Sequence, residues 1–498
     1  MKAWRCLLPA CLLAAGATQA TAPADAPAAA TADAITPPPA TAAPVIPPGD
    51  AEAVAATPGP AAQREAAQQS FLRLMDEKRY AEAATTAAHI VELTQQLHTE
   101  PGLGLAAPLA NLGTAQLQSG DLDSAQATYI QAIDLIERHD GIASTRLINP
   151  LTGLGEARLR AGLYLSAIEA YERALQVNHA ASGFYNLEQI RILDGLSEAF
   201  LGLEKFDRAD ARQRSQVTIH RRHDPDDHGA LAQAWQKLGR WYTRTGQQQA
   251  AQAAFQDARR VLRKDGGDYD PRMIDTLLGE AMSYESEGEL PIAATVLKRA
   301  LDLVDAQPVM DHARRAEVLV ALGDLQIVAR QPRAARQHYI DAWQALSGHG
   351  ETLLAARDAY FARPQRIGGP RLPEVVDPDG KARPAAALGQ LEHEQGLVVA
   401  ALTVTAQGRA TDARIIESTP PGLLDKQFLR ALDGSAFRPA MIDGQPVDRP
   451  DTQFRHSFRF SPAGMADSGQ ADPATRRKGE RIAYPEATST PGDDTAGR

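Results

Sequence analysis

The chain has 498 residues, a formal net charge of −10 and 23% charged residues. This acidic balance argues against a general nucleic-acid binder, which carries a basic face, and says little about fold. Its two cysteines, Cys6 and Cys11, both lie near the N-terminus, so the remainder has no disulfide framework, thiol nucleophile or cysteine-ligated metal.

Met1-Lys2-Ala3-Trp4-Arg5 supplies positive charge, Cys6 to Ala17 is a short apolar run, and small residues follow. That order predicts a cleaved secretory signal over residues 1–20, with cleavage after Ala17 or Ala20. The run is shorter than the roughly 20 apolar residues of a membrane helix and is broken by Pro9 and Gly16. A lipoprotein site at Leu8-Pro9-Ala10-Cys11 and an uncleaved anchor stay open as rivals. Residues 21–62 are rich in Ala, Pro and Thr, with Pro37-Pro38-Pro39 and Pro47-Pro48. Such composition cannot bury a core and predicts a disordered, extended linker.

From residue 63 to 348 the apolar pattern is helical, and it recurs every 42 residues. Alanine stands at Ala83, Ala125, Ala167, Ala209, Ala251, Ala293 and Ala335. A mostly large position follows at Ala87, Tyr129, Tyr171, Gln213, Phe255, Leu297 and Tyr339. A mostly small one comes next, at Ile90, Ala132, Ala174, Gln216, Ala258, Ala300 and Ala342. Upstream of four of these alanines, Gly113, Gly155, Gly239 and Gly323 mark a close approach of two helices. In the fullest copy, Trp235, Leu238, Gly239, Tyr242, Ala251, Phe255 and Ala258 resemble the W-x2-L-G-x2-Y … A-x3-F pattern of a tetratricopeptide (TPR) hairpin. The predicted fold is therefore mainly α, a TPR helical-hairpin solenoid of about seven 42-residue repeats. The first and fourth copies depart most, as a cap and a softer joint would.

The resemblance implies a concave groove lined by the first helix of each hairpin, and protein or peptide partners rather than chemistry. Counting along the repeat places Glu156, Arg160, Arg191, Asp194, Glu198, Gln233, Gln236, Arg240 and Arg244 on that groove. Their mixed signs suit an extended peptide. The competing reading is that they are ordinary solvated helix faces. His220, His223 and His228 beside Asp224, Asp226 and Asp227 are metal-ligand types, but Pro225 and Gly229 read as turn chemistry. No H-E-x-x-H, G-x-S-x-G or P-loop occurs. No enzyme activity, cofactor, metal or small-molecule substrate is expected.

Prolines and glycines crowd residues 363–383, marking a boundary. Gly396 to Val404 then reads as a strand, Ala406-Gln407-Gly408-Arg409 as a turn, and Ala410 to Ser418 as a second strand. Leu423 to Leu432 has helical spacing. Gln453-Phe454-Arg455-His456-Ser457-Phe458-Arg459-Phe460 alternates and reads as a third strand. The order ββαβ predicts a small α+β domain over residues 366–462, followed by a disordered polar tail, 463–498.

Gly396, Val404 with Gly408, Ser418-Thr419-Pro420, Leu424-Asp425, Phe437-Arg438-Pro439-Ala440 and Asp443-Gly444-Gln445-Pro446-Val447 together resemble the TonB C-terminal domain. That resemblance implies the periplasm of a Gram-negative bacterium. It also implies that the domain binds extended segments of outer-membrane TonB-dependent receptors by adding a strand to its sheet. An exposed edge is needed for this, and Gln453 to Phe460 is the expected one. Two functions follow: a periplasmic adaptor with two polypeptide-binding surfaces, or a TonB-type energy transducer held by an uncleaved N-terminus.

Overall fold

In the computed structural model the described residues are 59–97, 102–348, 350–377, 379–382 and 394–460. The expected signal, nearly all of the linker, and the tail lie outside them. Fourteen helices pair as seven antiparallel hairpins: α1 (Pro60–Asp76) with α2 (Tyr80–Leu97), α3 (Ala106–Ser119) with α4 (Leu122–Asp140), and α5 (Ile148–Arg160) with α6 (Tyr164–Ser182). Next come α7 (Gln189–Gly202) with α8 (Phe206–His223), α9 (His228–Thr245) with α10 (Gln248–Gly266), α11 (Met273–Glu287) with α12 (Leu290–Asp305), and α13 (His312–Val328) with α14 (Pro332–Leu346). The first helix begins at Pro60, slightly earlier than expected, because proline at the first helical position is already set for the turn and has no N–H to satisfy.

The period is written in the backbone. Each hairpin turns on one left-handed residue, at Lys78, Gly120, Gly162, Glu204, Gly246, Gly288 and Arg330, every 42 positions. All seven repeat alanines are 0% exposed, which fits helices that approach too closely for a larger side chain. The aromatic ring that follows lies between two glycines of successive first helices. A Cβ on Gly155 would sit 2.8 Å from the ring of Tyr171, and one on Gly195 would sit 2.2 Å from it. Gly153-x-Gly155 thus serves two rings, Tyr129 and Tyr171. In the fourth hairpin the ring is replaced by buried Gln213, which with Gln216 donates to Asp194 Oδ1 at 3.1 and 2.8 Å. That joint is polar where its neighbours are aromatic.

After the array comes a further helix, α15 (Glu351–Phe361). Its buried Phe361 packs on Tyr339 and Trp343, with ring centroids 6.0 and 5.9 Å away. The C-terminal domain comprises β1 (Gln365–Gly368), β2 (Val375–Val376), β3 (Glu394–Val404), β4 (Ala410–Thr419), α16 (Asp425–Asp433), β5 (Ala436–Arg438), β6 (Ala440–Ile442), β7 (Gln445–Val447) and β8 (Arg449–Phe460). The main sheet has the order β2-β8-β3-β4, with β2 parallel to β8 and the other pairs antiparallel. Phe428 and Leu432 of α16 pack with Val398, Ala400, Leu402, Phe458 and Phe460 of the sheet. The expected ββαβ core is present, with its last strand starting at Arg449. The short strands β1, β2 and β5 to β7 were not foreseen, because two to four residues are too few to show alternation.

Candidate functional site: the concave face and the outer edge of β8

The first helices of neighbouring hairpins are laced together across the face expected to form the groove. Asp194 on α7 accepts from Lys237 Nζ on α9 at 2.6 Å. Glu198 on α7 pairs with both guanidinium nitrogens of Arg244 on α9. Arg160 holds Glu156 at 2.8 Å one turn away and reaches the Leu117 carbonyl on α3 at 3.3 Å. Gln236, expected to line the groove, is 7% exposed and donates to Thr276 Oγ1 on α11 at 2.7 Å. Most expected groove residues are therefore engaged in fixing the stacking of the array. Each such half-exposed pair contributes at most about 1 kcal/mol, so register is the larger effect. Arg191, Gln233 and Arg240 remain exposed and make no ion pair or hydrogen bond with another described residue. Partial desolvation lowers the pKa of Arg240, and the charge of Asp275 opposes this.

Tyrosine hydroxyls reach this face from behind. Tyr129 meets Thr114 Oγ1 at 3.0 Å, and Tyr339 donates to Asp324 Oδ1 at 2.9 Å. Thr114, Glu156, Glu198, Arg240 and Asp324 share one repeat position. The Tyr171 hydroxyl is buried and has no partner. Burial raises the pKa of all three phenols, so each stays a proton donor.

At the last hairpin the same face is occupied by the chain itself. Arg438 of β5, 1% exposed, donates Nε to Asp324 Oδ1 at 2.8 Å and Nη2 to Asp324 Oδ2. Its Nη1 donates to Gln365 Oε1 at 3.0 Å, and the guanidinium lies 5.3 Å from the Tyr360 ring centre. Arg336 of α14 donates to Gln445 of β7 at 2.6 Å. In the sequence, Phe437-Arg438-Pro439-Ala440 is legible only as part of the family resemblance. Its contact to a helix 114 positions earlier left no local signal.

The outer edge of β8 follows from its register. Pairing with β3 is unbroken from Leu402↔Thr452 to Glu394↔Phe460. The Arg459 N–H donates away from β3, to the Glu374 carbonyl at 2.8 Å. In an antiparallel strand backbone groups alternate sides, so Gln453, Arg455 and Ser457 also turn N–H and C=O outward. Phe454, His456 and Phe458 turn theirs to β3. The expected free edge is shorter than Gln453 to Phe460, because β2 pairs with Arg459 and Phe460. Beyond it, the outward groups of Gln453, Arg455 and Ser457 have no strand partner among the described residues. The other edge, β4, breaks register with β3 twice, which blunts it as a template.

Around the histidine cluster, Asp224 Oδ1 accepts from the N–H groups of Asp226 and Asp227, and Asp227 caps α9 through Ala230 N–H at 2.8 Å. His223 and His228 bind the carbonyls of Tyr185 and Asp226. Among the described residues no three metal-ligand side chains converge. Nor is any described helix long and apolar enough to cross a membrane.

Residues 387–461 match the family described as the Gram-negative bacterial TonB protein C-terminal, and residues 106–139 match the tetratricopeptide repeat. No curated protein matches the chain. Among solved structures, BtubC (BKLC) from P. vanneervenii aligns at 19% identity and a TM-score of 0.34, over 51% of this chain and 96% of its own. The apo form of RapI aligns at 11% identity and 0.40, over 59% and 80%. Aspartyl phosphate phosphatase F from Bacillus subtilis aligns at 10% and 0.38, over 58% and 71%. The chain thus carries a tetratricopeptide array followed by a TonB-like C-terminal domain.

Proposed function

We propose that this protein is a non-enzymatic periplasmic adaptor that binds polypeptides through its concave face and through the outer edge of β8, in outer-membrane transport or envelope assembly. The observation that carries the reading is the run of outward backbone groups at Gln453, Arg455 and Ser457, in a domain that matches the TonB C-terminal family. Unpaired donors and acceptors at a straight edge are what an incoming extended segment needs, with side chains selecting register. Extended segments of outer-membrane TonB-dependent receptors are the partners this reading favours.

The test uses the full chain and two single prolines. Arg455→Pro removes an outward N–H, which an edge tolerates, whereas His456→Pro removes a donor facing β3. Titrated against extended receptor peptides, the Arg455→Pro protein should keep its fold and lose capture. The His456→Pro protein should lose the C-terminal fold. If the Arg455→Pro protein binds as the parent does, strand addition at this edge is the wrong mechanism.

A further inference from the structure

At one joint of the array, positions that are buried in the other hairpins lie open. Val261 on α10 is half-buried, whereas Leu93, Leu135, Val177, Ile219, Leu303 and Ala345, at the same place in the other hairpins, are all buried. Trp235 on α9 shows the same departure. It is half-buried, while Leu109, Leu151, Leu193, Leu277 and Leu319 stand at its position and are buried. The result is a hollow of about 400 Å³ where α8, α9 and α10 meet, within the range of about 300–1,000 Å³ typical of small-ligand sites. Leu231, Trp235 and Val261 give it apolar walls, and Arg221, Asp257 and Arg260 complete its lining. Those charged residues belong to the second helices α8 and α10, so the hollow is separate from the laced face of the first helices.

The charges at its mouth leave one cation over. Arg260 is paired with Asp257, the single anion of the lining. An adjoining hollow of about 200 Å³ shares Arg260, and its Arg259 and Arg263 are held by Glu280 and Asp268 at 2.8 Å. Arg221 makes no ion pair among the described residues and lies over the Trp235 ring, 6.0 Å from its centre. Arg222, the next residue, lies over Tyr185 instead, also at 6.0 Å.

An apolar hollow with one unpaired guanidinium suits a ligand with an apolar body and a single negative charge. A guanidinium holds a carboxylate through two parallel N–H donors. An uncharged apolar ligand would cover part of the Arg221 guanidinium without pairing it, which is disfavoured. We propose that this hollow binds a free long-chain carboxylate, with its chain against Trp235 and Val261 and its head group at Arg221. The site goes beyond the adaptor reading and does not rest on it.

The experiment is calorimetric titration of the full chain with dodecanoate, octanoate, dodecyl maltoside and acetate, each below its micelle concentration. Dodecanoate should bind once per chain and at least about tenfold tighter than dodecyl maltoside, as expected for a charge-assisted hydrogen bond. Octanoate should be weaker, by up to about fourfold for each CH₂ removed, and acetate should not bind measurably. Arg221→Gln should lower dodecanoate affinity about tenfold, and Val261→Phe should do so by filling the hollow. Neither should lower the melting temperature, because Arg221 is exposed and Val261 borders the opening. Arg222→Gln should leave affinity unchanged. Equal binding of dodecanoate and dodecyl maltoside, equal losses from Arg221→Gln and Arg222→Gln, unchanged affinity in the Val261→Phe protein, or no binding, overturns the site. Sedimentation of the chain with phosphatidylcholine vesicles containing oleate, without one-to-one binding of dodecanoate, would mean that a lipid surface is read instead, which also overturns it. The adaptor reading is judged separately: Arg455→Pro should leave dodecanoate binding intact while abolishing capture of receptor peptides.

Discussion

Replacing Asp324 with alanine tests whether the TonB-like domain and the array form one cooperative unit. Asp324 is the counter-charge of Arg438, whose side chain is 2% exposed, against 13% for the aspartate. Burial opposes the guanidinium's charge, but Asp324 outweighs it and holds the pKa above the usual range. Without Asp324 the guanidinium keeps Gln365 Oε1, the face of Tyr360 and the neighbouring Tyr339 hydroxyl, which itself loses its carboxylate acceptor. Removing one partner of a buried pair costs about 3–5 kcal/mol, because the other charge stays buried and unpaired. Glu198→Ala breaks the Arg244 pair, whose side chains are 52% and 38% exposed, and should cost under about 1 kcal/mol. Urea unfolding, followed by hydrogen exchange of the β3 and β8 amides, reads the loss where it matters. Asp324→Leu combined with Arg438→Met should recover most of it, since no charge is then stranded. If Asp324→Ala proves no more damaging than Glu198→Ala, the pair does not couple the domains.

Three further outcomes follow from the repeat geometry and two half-buried histidines. Ala251, 0% exposed between helices, should not accept leucine: Ala251→Leu should cost about 1–3 kcal/mol by overpacking, while Gln249→Leu on the exposed face should be nearly neutral, as thermal melts will show. Glu204 holds the left-handed turn position with φ 57° where four other hairpins use glycine, so Glu204→Gly should stabilise by about 1 kcal/mol in urea titrations. Burial lowers the pKa of His338 and His220 below 6.5. The unfolded chain then binds more protons just below pH 6.5, so stability falls as pH drops through that value. The urea midpoint should decrease between about pH 7.5 and pH 5.5, and decrease less in the His220→Gln/His338→Gln protein.

The sequence by itself determined the array. A solenoid hairpin touches only its neighbours, so the same contacts recur at the same step, and the alanines, the ring position and its glycines appear as a 42-residue period. The strands β3, β4 and β8 and the helix α16 were legible for a similar reason, since each is long enough to show its own periodicity. Tertiary structure decided the rest. Whether Gln236 lines a groove or bonds to Thr276 depends on the stacking distance between two helices, which no local pattern records. That β2 covers Arg459 and Phe460, leaving Gln453, Arg455 and Ser457 open, depends on a strand of two residues. The seat of Arg438 on Asp324 joins distant segments through a single contact that no repeat multiplies. Contacts that recur leave a period in the chain, while contacts made once are visible only when the chain has folded.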